Sequence, residues 1–286
     1  MSPRILVTAA TGQLGRLVVQ ALLATVPAAS IVAAVRSPDK AADLAALGVE
    51  VRAADYSKPE TLGPALAGID RVLLISSSEI GQRTTQHANV IDAAVKAGVK
   101  RLVYTSILHA DTSPLGLAAE HVATEKRIVA SGLPYVLLRN SWYLENYNAN
   151  IQPAIAHGAV FGAAGDGRIA AASRADYADA AAKALTLDAP ASLYELAGDE
   201  AFTMAEWAAA LAEVSGKPVV YQNMPQADYA ALLVQIGLPA PFADLLADSD
   251  VGASKGGLFD DSRTLSRLIG RPTTTLKSAL AAALKG

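Results

Sequence analysis

The feature that most restricts the fold of this 286-residue chain is a regular alternation of two hydrophobic periods in its first half. Short apolar runs of strand length are separated by stretches with helical spacing. The runs lack polar alternation, which is typical of parallel strands covered on both faces. The predicted strands are Arg4–Ala9, Ile31–Val35, Val49–Ala53, Arg71–Ile75, Arg101–Thr105 and Tyr135–Arg139. The predicted helices are Gln13–Ala24, Asp39–Leu47, Glu60–Ala67, Gln82–Ala97 and Leu117–Ala130.

Glycines mark the points where a predicted helix gives way to the next strand. Gly48, Gly68, Gly98 and Gly132 each stand where a left-handed residue commonly ends a helix. Together with the alternation, they predict an α/β fold with a doubly wound, parallel, Rossmann-type sheet.

The pattern changes after Asn140. A helix is expected over Trp142–Ala156, and turns around a short strand over Ala159–Gly167. Further expected elements are helices over Ala175–Leu187 and from a Thr203/Glu206 capping box to Ser215, and strands over Ser192–Ala197 and Val219–Gln222.

Beyond Pro225 we expect short helices, and we expect Ser249–Phe259 to form a loop over a site. The expected division is a Rossmann-type domain over residues 1–155 and a smaller lobe over residues 156–286, which mainly covers the substrate and returns some segments to the sheet.

The formal net charge of −3 and the lack of cysteine argue against several classes of protein. A weakly acidic chain has no field that attracts a phosphate backbone, so no nucleic acid partner is expected. Disulfides and thiolate metal sites are excluded, and His87 and His109 lack partners at metal-ligand spacing, so no metal is predicted. No apolar run reaches the roughly 18 residues of a membrane helix, and no signal peptide is recognisable, which predicts a cytoplasmic protein. No pattern predicts an oligomeric state.

The most informative motif runs from Thr8 to Gly15, between the first predicted strand and the first predicted helix. A dinucleotide pyrophosphate binds at such a place, on exposed backbone N–H groups at the positive end of a helix. An ordinary strand-to-helix turn is the alternative. The cofactor contacts expected here are Ala9, Ala10, Thr11, Gly12, Gln13, Leu14 and Gly15.

The motif departs from the usual pattern at Ala9, where the first glycine normally stands. Alanine resists a positive φ, so the turn either holds Ala9 at negative φ or accepts strain.

The residue after the second predicted strand determines the choice of cofactor. An acidic residue there would bind the ribose 2′-hydroxyl of NADH, but this chain has Arg36, which can pair with the 2′-phosphate of NADPH. A solvated arginine is the alternative. Asp55 after the third strand and Ser76, Ser77 and Ser78 after the fourth are further candidate cofactor contacts, although serines there also suit a plain loop.

Candidate residues also follow the sixth predicted strand. Asn140 would lie at the carboxyl edge of the sheet, where it could bond a nicotinamide amide or an oxygen of the substrate. Trp142 and Tyr143 could wall a flat aromatic substrate, or could simply begin a packed helix. Arg174 is a further candidate for a cofactor phosphate.

None of the nine tyrosines has a lysine four residues later, so the Tyr-x-x-x-Lys pair of many short-chain dehydrogenases is missing. Val122 stands in the tyrosine position, while Lys126 remains in the lysine position and could reach the nicotinamide ribose, or else face solvent. Reduction of an aliphatic ketone makes a strongly basic alkoxide, which needs a proton donor positioned nearby. Reduction of a quinone makes a hydroquinone anion, whose conjugate acid has a pKa of about 10, like that of tyrosine. Such an anion can take its proton from water. The missing pair therefore favours a quinone as acceptor.

The sequence resembles the NmrA-like atypical short-chain dehydrogenases, and within them the zinc-independent bacterial NADPH:quinone oxidoreductases. The resemblance runs along the whole chain and is carried by the segments 10–15, 75–79, 109–117, 138–140 and 248–257. It implies NADPH as cofactor and quinones as acceptors, with cofactor contacts at the Gly12 loop, Arg36, Ser76–Ser78, Asn140 and Arg174.

Two other functions remain open. Some NmrA-like proteins bind dinucleotides as redox sensors without catalysis, and the missing pair and Ala9 would suit such a role. The chain could also reduce another conjugated acceptor, such as a triphenylmethane dye.

Overall fold

The computed structural model describes residues 2–285. Its main sheet has seven strands in the order β3-β2-β1-β4-β5-β6-β8. The strands are β1 (Ile5–Val7), β2 (Ile31–Val35), β3 (Glu50–Ala53), β4 (Arg71–Leu74), β5 (Arg101–Ile107), β6 (Tyr135–Asn140) and β8 (Leu193–Leu196), while β7 (Ala159–Gly162) and β9 (Val220–Asn223) form a separate parallel pair. The strand order reverses at β1, which pairs in parallel with both β2 and β4, so the predicted doubly wound fold is confirmed.

The helices of the first half match the predicted stretches closely. They are α1 (Gln13–Leu23), α2 (Ala42–Ala46), α3 (Pro59–Leu66), α4 (Arg83–Lys96) and α5 (Ala118–Ala130). The glycines at 48, 68, 98 and 132 all have φ between 69° and 81°, as the sequence predicts. The later helices are α6 (Asn148–His157), α7 (Arg174–Thr186), α8 (Met204–Ser215), α9 (Gln226–Gln235), α10 (Ala240–Ser254), α11 (Thr264–Ile269) and α12 (Leu276–Lys285). None of the helices within residues 2–285 has the length and hydropathy that crossing a membrane requires.

Two expectations about local structure are wrong. Trp142 and Tyr143 do not begin a helix: Tyr143 is extended and bridges Ala172, and helical backbone starts only at Leu144. Ser249–Ser254 is not a loop, because it forms the last turns of α10. A glycine at position 252 would usually indicate the end of a helix. Here a Cβ would lie 2.7 Å from Cγ of Leu115, so the glycine instead permits Leu115 to pack closely against a continuous helix.

The chain folds into two compact units, each with its own dense internal packing. The first unit comprises the chain up to Ile107 together with Glu120–Arg139 and Arg174–Tyr194, and the second comprises Leu108–Ala119, Asn140–Ser173 and the chain from Glu195 onwards. These units are interleaved along the sequence, unlike the expected ranges 1–155 and 156–286.

The core of the first unit lies where the sheet meets its helices. Side chains of β1, β2, β4 and β5 bury apolar surface against α3 and α4, including Leu6, Val32, Val72, Ile91 and Leu102. On the other face α1 packs against α7, whose buried side chains are mostly alanine. Small side chains allow two helices to approach closely, which accounts for the alanine-rich composition.

In the second unit, the capping box that begins α8 is present as predicted. The Thr203 hydroxyl accepts a hydrogen bond from Glu206 N at 3.1 Å, and Thr203 N donates to Glu206 Oε2 at 2.7 Å. Another part of this unit packs α9 and α10 around Tyr229, Leu233 and Ala247.

Candidate functional site

A cleft of about 460 Å³ opens in the first unit, lined by the segments that follow the carboxyl ends of β1, β2, β3 and β4. Its volume lies within the range of ligand pockets in proteins. The cleft brings together most of the predicted cofactor contacts: Ala9, Thr11, Gly12, Gln13, Leu14, Gly15, Arg36, Asp55, Ser76, Ser77 and Ser78. Ala10 is fully buried and does not line it.

The turn from β1 into α1 depends on close backbone approach. Gly12 is the N-cap residue of α1, has a φ of −73°, and donates from its N–H to the carbonyl of Ala9 at 2.9 Å. A Cβ at Gly15 would lie 2.4 Å from that same oxygen and 2.8 Å from Cα of Ala10. Glycine at 15 therefore lets the helix start directly against the loop. The first turn carries no acidic side chain, so its free N–H groups remain available to an anion.

The structure decides between the two expectations for Ala9. Its φ is +48°, in the left-handed region, so the turn accepts strain instead of avoiding it. Such a conformation costs an alanine on the order of 1 kcal/mol.

Thr8 joins this loop to the neighbouring strands. Its hydroxyl donates to the carbonyl of Leu73 at 2.9 Å and accepts from the N–H of Ile75 at 3.0 Å. The Tyr56 hydroxyl donates to the Ile75 carbonyl at 2.9 Å and also contacts Thr8 Oγ1. Burial raises the pKa of Tyr56 far above its ordinary value, so its proton stays in place and the residue acts as a structural donor.

Two buried side chains and the partly exposed Arg83 fix the backbone of the serine segment, Ser76–Ser78. The N–H of Ser76 donates to Thr105 Oγ1 at 2.8 Å, and the N–H of Ser77 donates to His87 Nε2 at 2.9 Å. The Nε atom of Arg83 donates to the Ser77 carbonyl at 2.6 Å.

Sequence reasoning missed several polar residues that line the cleft, among them Lys40, Glu79 and Gln86. Gln86 is only 4% exposed, and its Oε1 atom is buried without a hydrogen-bond partner among the described residues. The sequence carried a sign of it, because Gln86 is four residues before Val90 on the buried face of α4. A polar side chain on such a face usually has a bonding role.

The position of the missing tyrosine–lysine pair lies on α5. Lys126 is exposed there and does not line the cleft. Glu125, the residue before Lys126, is held by Arg139 at 2.7 Å and by the Ser106 hydroxyl at 2.5 Å, all of them buried. Arg174 begins α7 and does not line the cleft.

The other candidates belong to the second unit. Asn140 is 5% exposed, and its Oδ1 atom is buried without a partner among the described residues. Trp142 and Tyr143 are both partly exposed.

The cleft residues fit a phosphorylated dinucleotide. Gly15 removes the Cβ that would push the loop away from the helix terminus, and Arg36 supplies a cation at the end of β2. The orphaned Oε1 atom of Gln86 offers a buried acceptor that an amino group could satisfy.

Comparison with known proteins gives a consistent result along the chain. The model of the NAD(P)H-binding family matches residues 9–188. Quinone oxidoreductase 2 of Escherichia coli is 59% identical over 277 residues, which cover 96% of this chain and 97% of that protein. The crystal structure of the NADPH-dependent quinone oxidoreductase QOR2 of Escherichia coli with NADPH has a TM-score of 0.96 and 58% identity, covering 98% of this chain and 99% of that one. Citrobacter sp. triphenylmethane reductase with NADP(H) has a TM-score of 0.94 and 41% identity, covering 98% and 99%.

Proposed function

Because this chain belongs to the NAD(P)H-binding family, we propose that it is an oxidoreductase that transfers a hydride from NADPH to a quinone. The observation that carries the proposal is 59% identity, over nearly the whole chain, to a quinone oxidoreductase. The cleft supports it independently, because an arginine follows β2 where an acidic residue would favour NADH.

The chain's own residues bind and orient the cofactor. The free N–H groups at the start of α1 would hold the pyrophosphate, and Arg36 would pair with the 2′-phosphate. Asp55, Gln86 and the serine segment would line the remainder of the cleft. NADPH, when bound, supplies the hydride, and the quinone takes up one further proton.

No Tyr-x-x-x-Lys pair is present to supply that proton. A hydroquinone anion with a pKa of about 10 can take it from water near neutral pH. The protein then contributes mainly by holding two flat rings together.

Asn140 and Lys126 remain candidates for direct roles in the reaction. The buried, unpartnered Oδ1 of Asn140 could accept from the nicotinamide carboxamide, and Lys126 could donate to the ribose. Asn140→Leu should lower kcat if the amide orients a ring, while Lys126→Met should raise KM for NADPH. Lys96→Met, at another exposed lysine that does not line the cleft, is the control.

We further propose that Trp142 and Tyr143 contact the quinone, that Arg174 contacts a cofactor phosphate, and that the protein works in the cytoplasm, where NADPH is supplied. Trp142→Ala and Tyr143→Ala should raise KM for the quinone and leave Kd for NADPH unchanged, and Arg174→Ala should weaken NADPH binding. Cell fractionation tests the location.

The central experiment follows NADPH oxidation by a small benzoquinone at the reduced-nicotinamide absorption band, with NADH in parallel and the uncatalysed rate subtracted. We expect saturable turnover that prefers NADPH. Arg36→Ala should raise KM for NADPH and change that for NADH little. Arg127→Ala is the matched control, because Arg127 is also an exposed, ion-paired arginine but does not line the cleft.

Binding of NADPH without quinone turnover would contradict the assignment and favour a redox sensor. A triphenylmethane dye should be tested as acceptor in the same assay, since a faster rate with the dye would favour a dye reductase instead.

A further inference from the structure

Glu79 is the acidic residue that faces Arg36 in the cofactor cleft. Arg36 Nη1 donates to Glu79 Oε1 at 2.8 Å, and both residues line the cleft. Both side chains keep solvent contact, at 68% exposure for Arg36 and 44% for Glu79. The cation expected to bind the 2′-phosphate is thus already engaged by a carboxylate of this chain.

The carboxylate is held in place from the protein side. Gln86 Nε2 donates to Glu79 Oε2 at 2.7 Å and also contacts the Ser57 hydroxyl at 3.0 Å. The N–H of Glu79 donates to Ser77 Oγ at 3.1 Å. Since Gln86 is 4% exposed, the position of Glu79 depends on a buried anchor and not on the arginine alone.

A 2′-phosphate and Glu79 compete for the same guanidinium. The phosphate carries a charge of about −1.5 to −2 near neutral pH, so a carboxylate beside Arg36 repels it. Binding of NADPH therefore exchanges one anionic partner of Arg36 for another. A 2′-hydroxyl, as in NADH, brings no charge and can donate a hydrogen bond to a carboxylate.

We propose that Glu79 is a specificity-determining residue that competes with the 2′-phosphate for Arg36. Glu79 thereby weakens the binding of NADPH and NADP⁺ and speeds their release. It also reduces the preference of the protein for NADPH over NADH. This inference rests on the proposed use of NADPH.

Glu79→Gln tests the proposal while preserving the local structure, because the amide oxygen can still accept from Gln86. The probes are 2′,5′-ADP and 5′-AMP, which differ only in the 2′-phosphate, and their Kd values are measured by calorimetry. We expect 2′,5′-ADP to bind up to about fivefold more tightly to the variant, the size that an exposed ion pair can contribute. The Kd of 5′-AMP should stay the same or rise.

The same variant should release NADP⁺ more slowly in stopped-flow displacement and should bind NADPH more tightly. Glu79→Ala should act in the same direction, which guards against an effect peculiar to the amide. Asp92→Asn is the matched control: it removes the same charge and a comparable exposed pair, with Arg127, from a residue outside the cleft.

The outcomes are distinguishable. Equal tightening of 2′,5′-ADP and 5′-AMP, or no change in either, would overturn the role of Glu79 while the proposed function stands. Failure of the unaltered protein to bind either 2′,5′-ADP or NADPH would instead count against the proposed function itself.

Discussion

The Nε2 atom of His87 accepts a hydrogen bond from the backbone N–H of Ser77 at 2.9 Å. An atom that accepts from an amide carries no proton, so His87 is neutral with its proton on Nδ1, which faces Thr124 Oγ1 at 2.9 Å. Burial, helped by the charge of Arg83, lowers the pKa of His87 to about 4. One neutral ring thus supports the backbone of the serine segment that lines the cleft.

We predict a loss of stability on acidification that depends on His87. The folded pKa of about 4 lies below the ordinary value of 6.5, so the full contribution is present above pH 6.5 and is lost as pH falls toward 4. The slope for one such group is up to about 1.4 kcal/mol per pH unit. Urea unfolding of the protein and of His87→Gln at several pH values in this window measures it. Equal slopes would refute the linkage.

His121 should contribute to the same acid sensitivity. Its Nδ1 atom lies 2.8 Å from the Tyr104 hydroxyl. Burial lowers the pKa of His121 to about 3, helped by the charge of Arg83 and by that of His87 once acid has protonated it. His87→Gln should therefore flatten the pH profile only in part, and a His87/His121 double variant should flatten it further.

Gly15→Ala should destabilise the protein and weaken NADPH binding together. The added methyl group would sit 2.4 Å from the carbonyl oxygen of Ala9, so the loop must move, at a cost of about 1–3 kcal/mol. Urea unfolding and NADPH titration measure the two effects. Gly63→Ala in α3 is the control: Gly63 lies outside the cleft, so this variant should leave NADPH binding unchanged, although its new Cβ precedes Pro64 and should not stabilise the helix. Unchanged NADPH binding in Gly15→Ala would show that the loop position is unimportant.

Ala9→Gly should raise the free energy of unfolding by up to about 1 kcal/mol. Glycine adopts the observed φ of +48° without steric cost, and that gain exceeds the entropy it adds to the unfolded chain. Arg263→Gly should give a similar gain, because Arg263 has a φ of +55° but lies in the second unit, and it should leave NADPH affinity unchanged. A less stable Ala9→Gly variant would mean that Ala9 makes contacts worth more than its strain.

Asp250→Asn should stabilise the protein at pH 8 by about 1–2 kcal/mol. Burial raises the pKa of Asp250 to about 6, against a backbone hydrogen bond from Ala163 that lowers it. A raised pKa means that the protonated form suits the fold, so stability is lost as pH rises through 6. The asparagine Oδ1 can still accept from Ala163 N, which donates to Asp250 Oδ2 at 2.8 Å. Thermal melts at pH 3.5 and pH 8 test this, since the gain should largely vanish at the lower pH.

The sequence by itself determined the strands, the helix ends and the glycine positions in the turn between β1 and α1, since each depends on a local pattern. The hydrophobic period indicates whether a segment is a helix or a strand, and a glycine in the left-handed conformation marks where a helix ends. Gly12 and Gly15 lie between β1 and the first turn of α1, so the motif is also local. Periodicity failed where distant packing decides: Gly252 suggests a break, yet Leu115 packs against it and α10 continues.

Only the tertiary structure decided which polar groups meet. Arg36 and Glu79 are 43 residues apart, and nothing in the sequence predicts that they form an ion pair. Nor does it predict that the Gln86 amide donates to the Glu79 carboxylate. Likewise, no spacing along the sequence indicates that His87 accepts from the Ser77 N–H or that Arg139 pairs with Glu125. The hydrophobic period is a property of residues close together in the sequence. Hydrogen bonds between loops depend instead on which strands lie next to one another in the sheet, and this is decided by the tertiary fold.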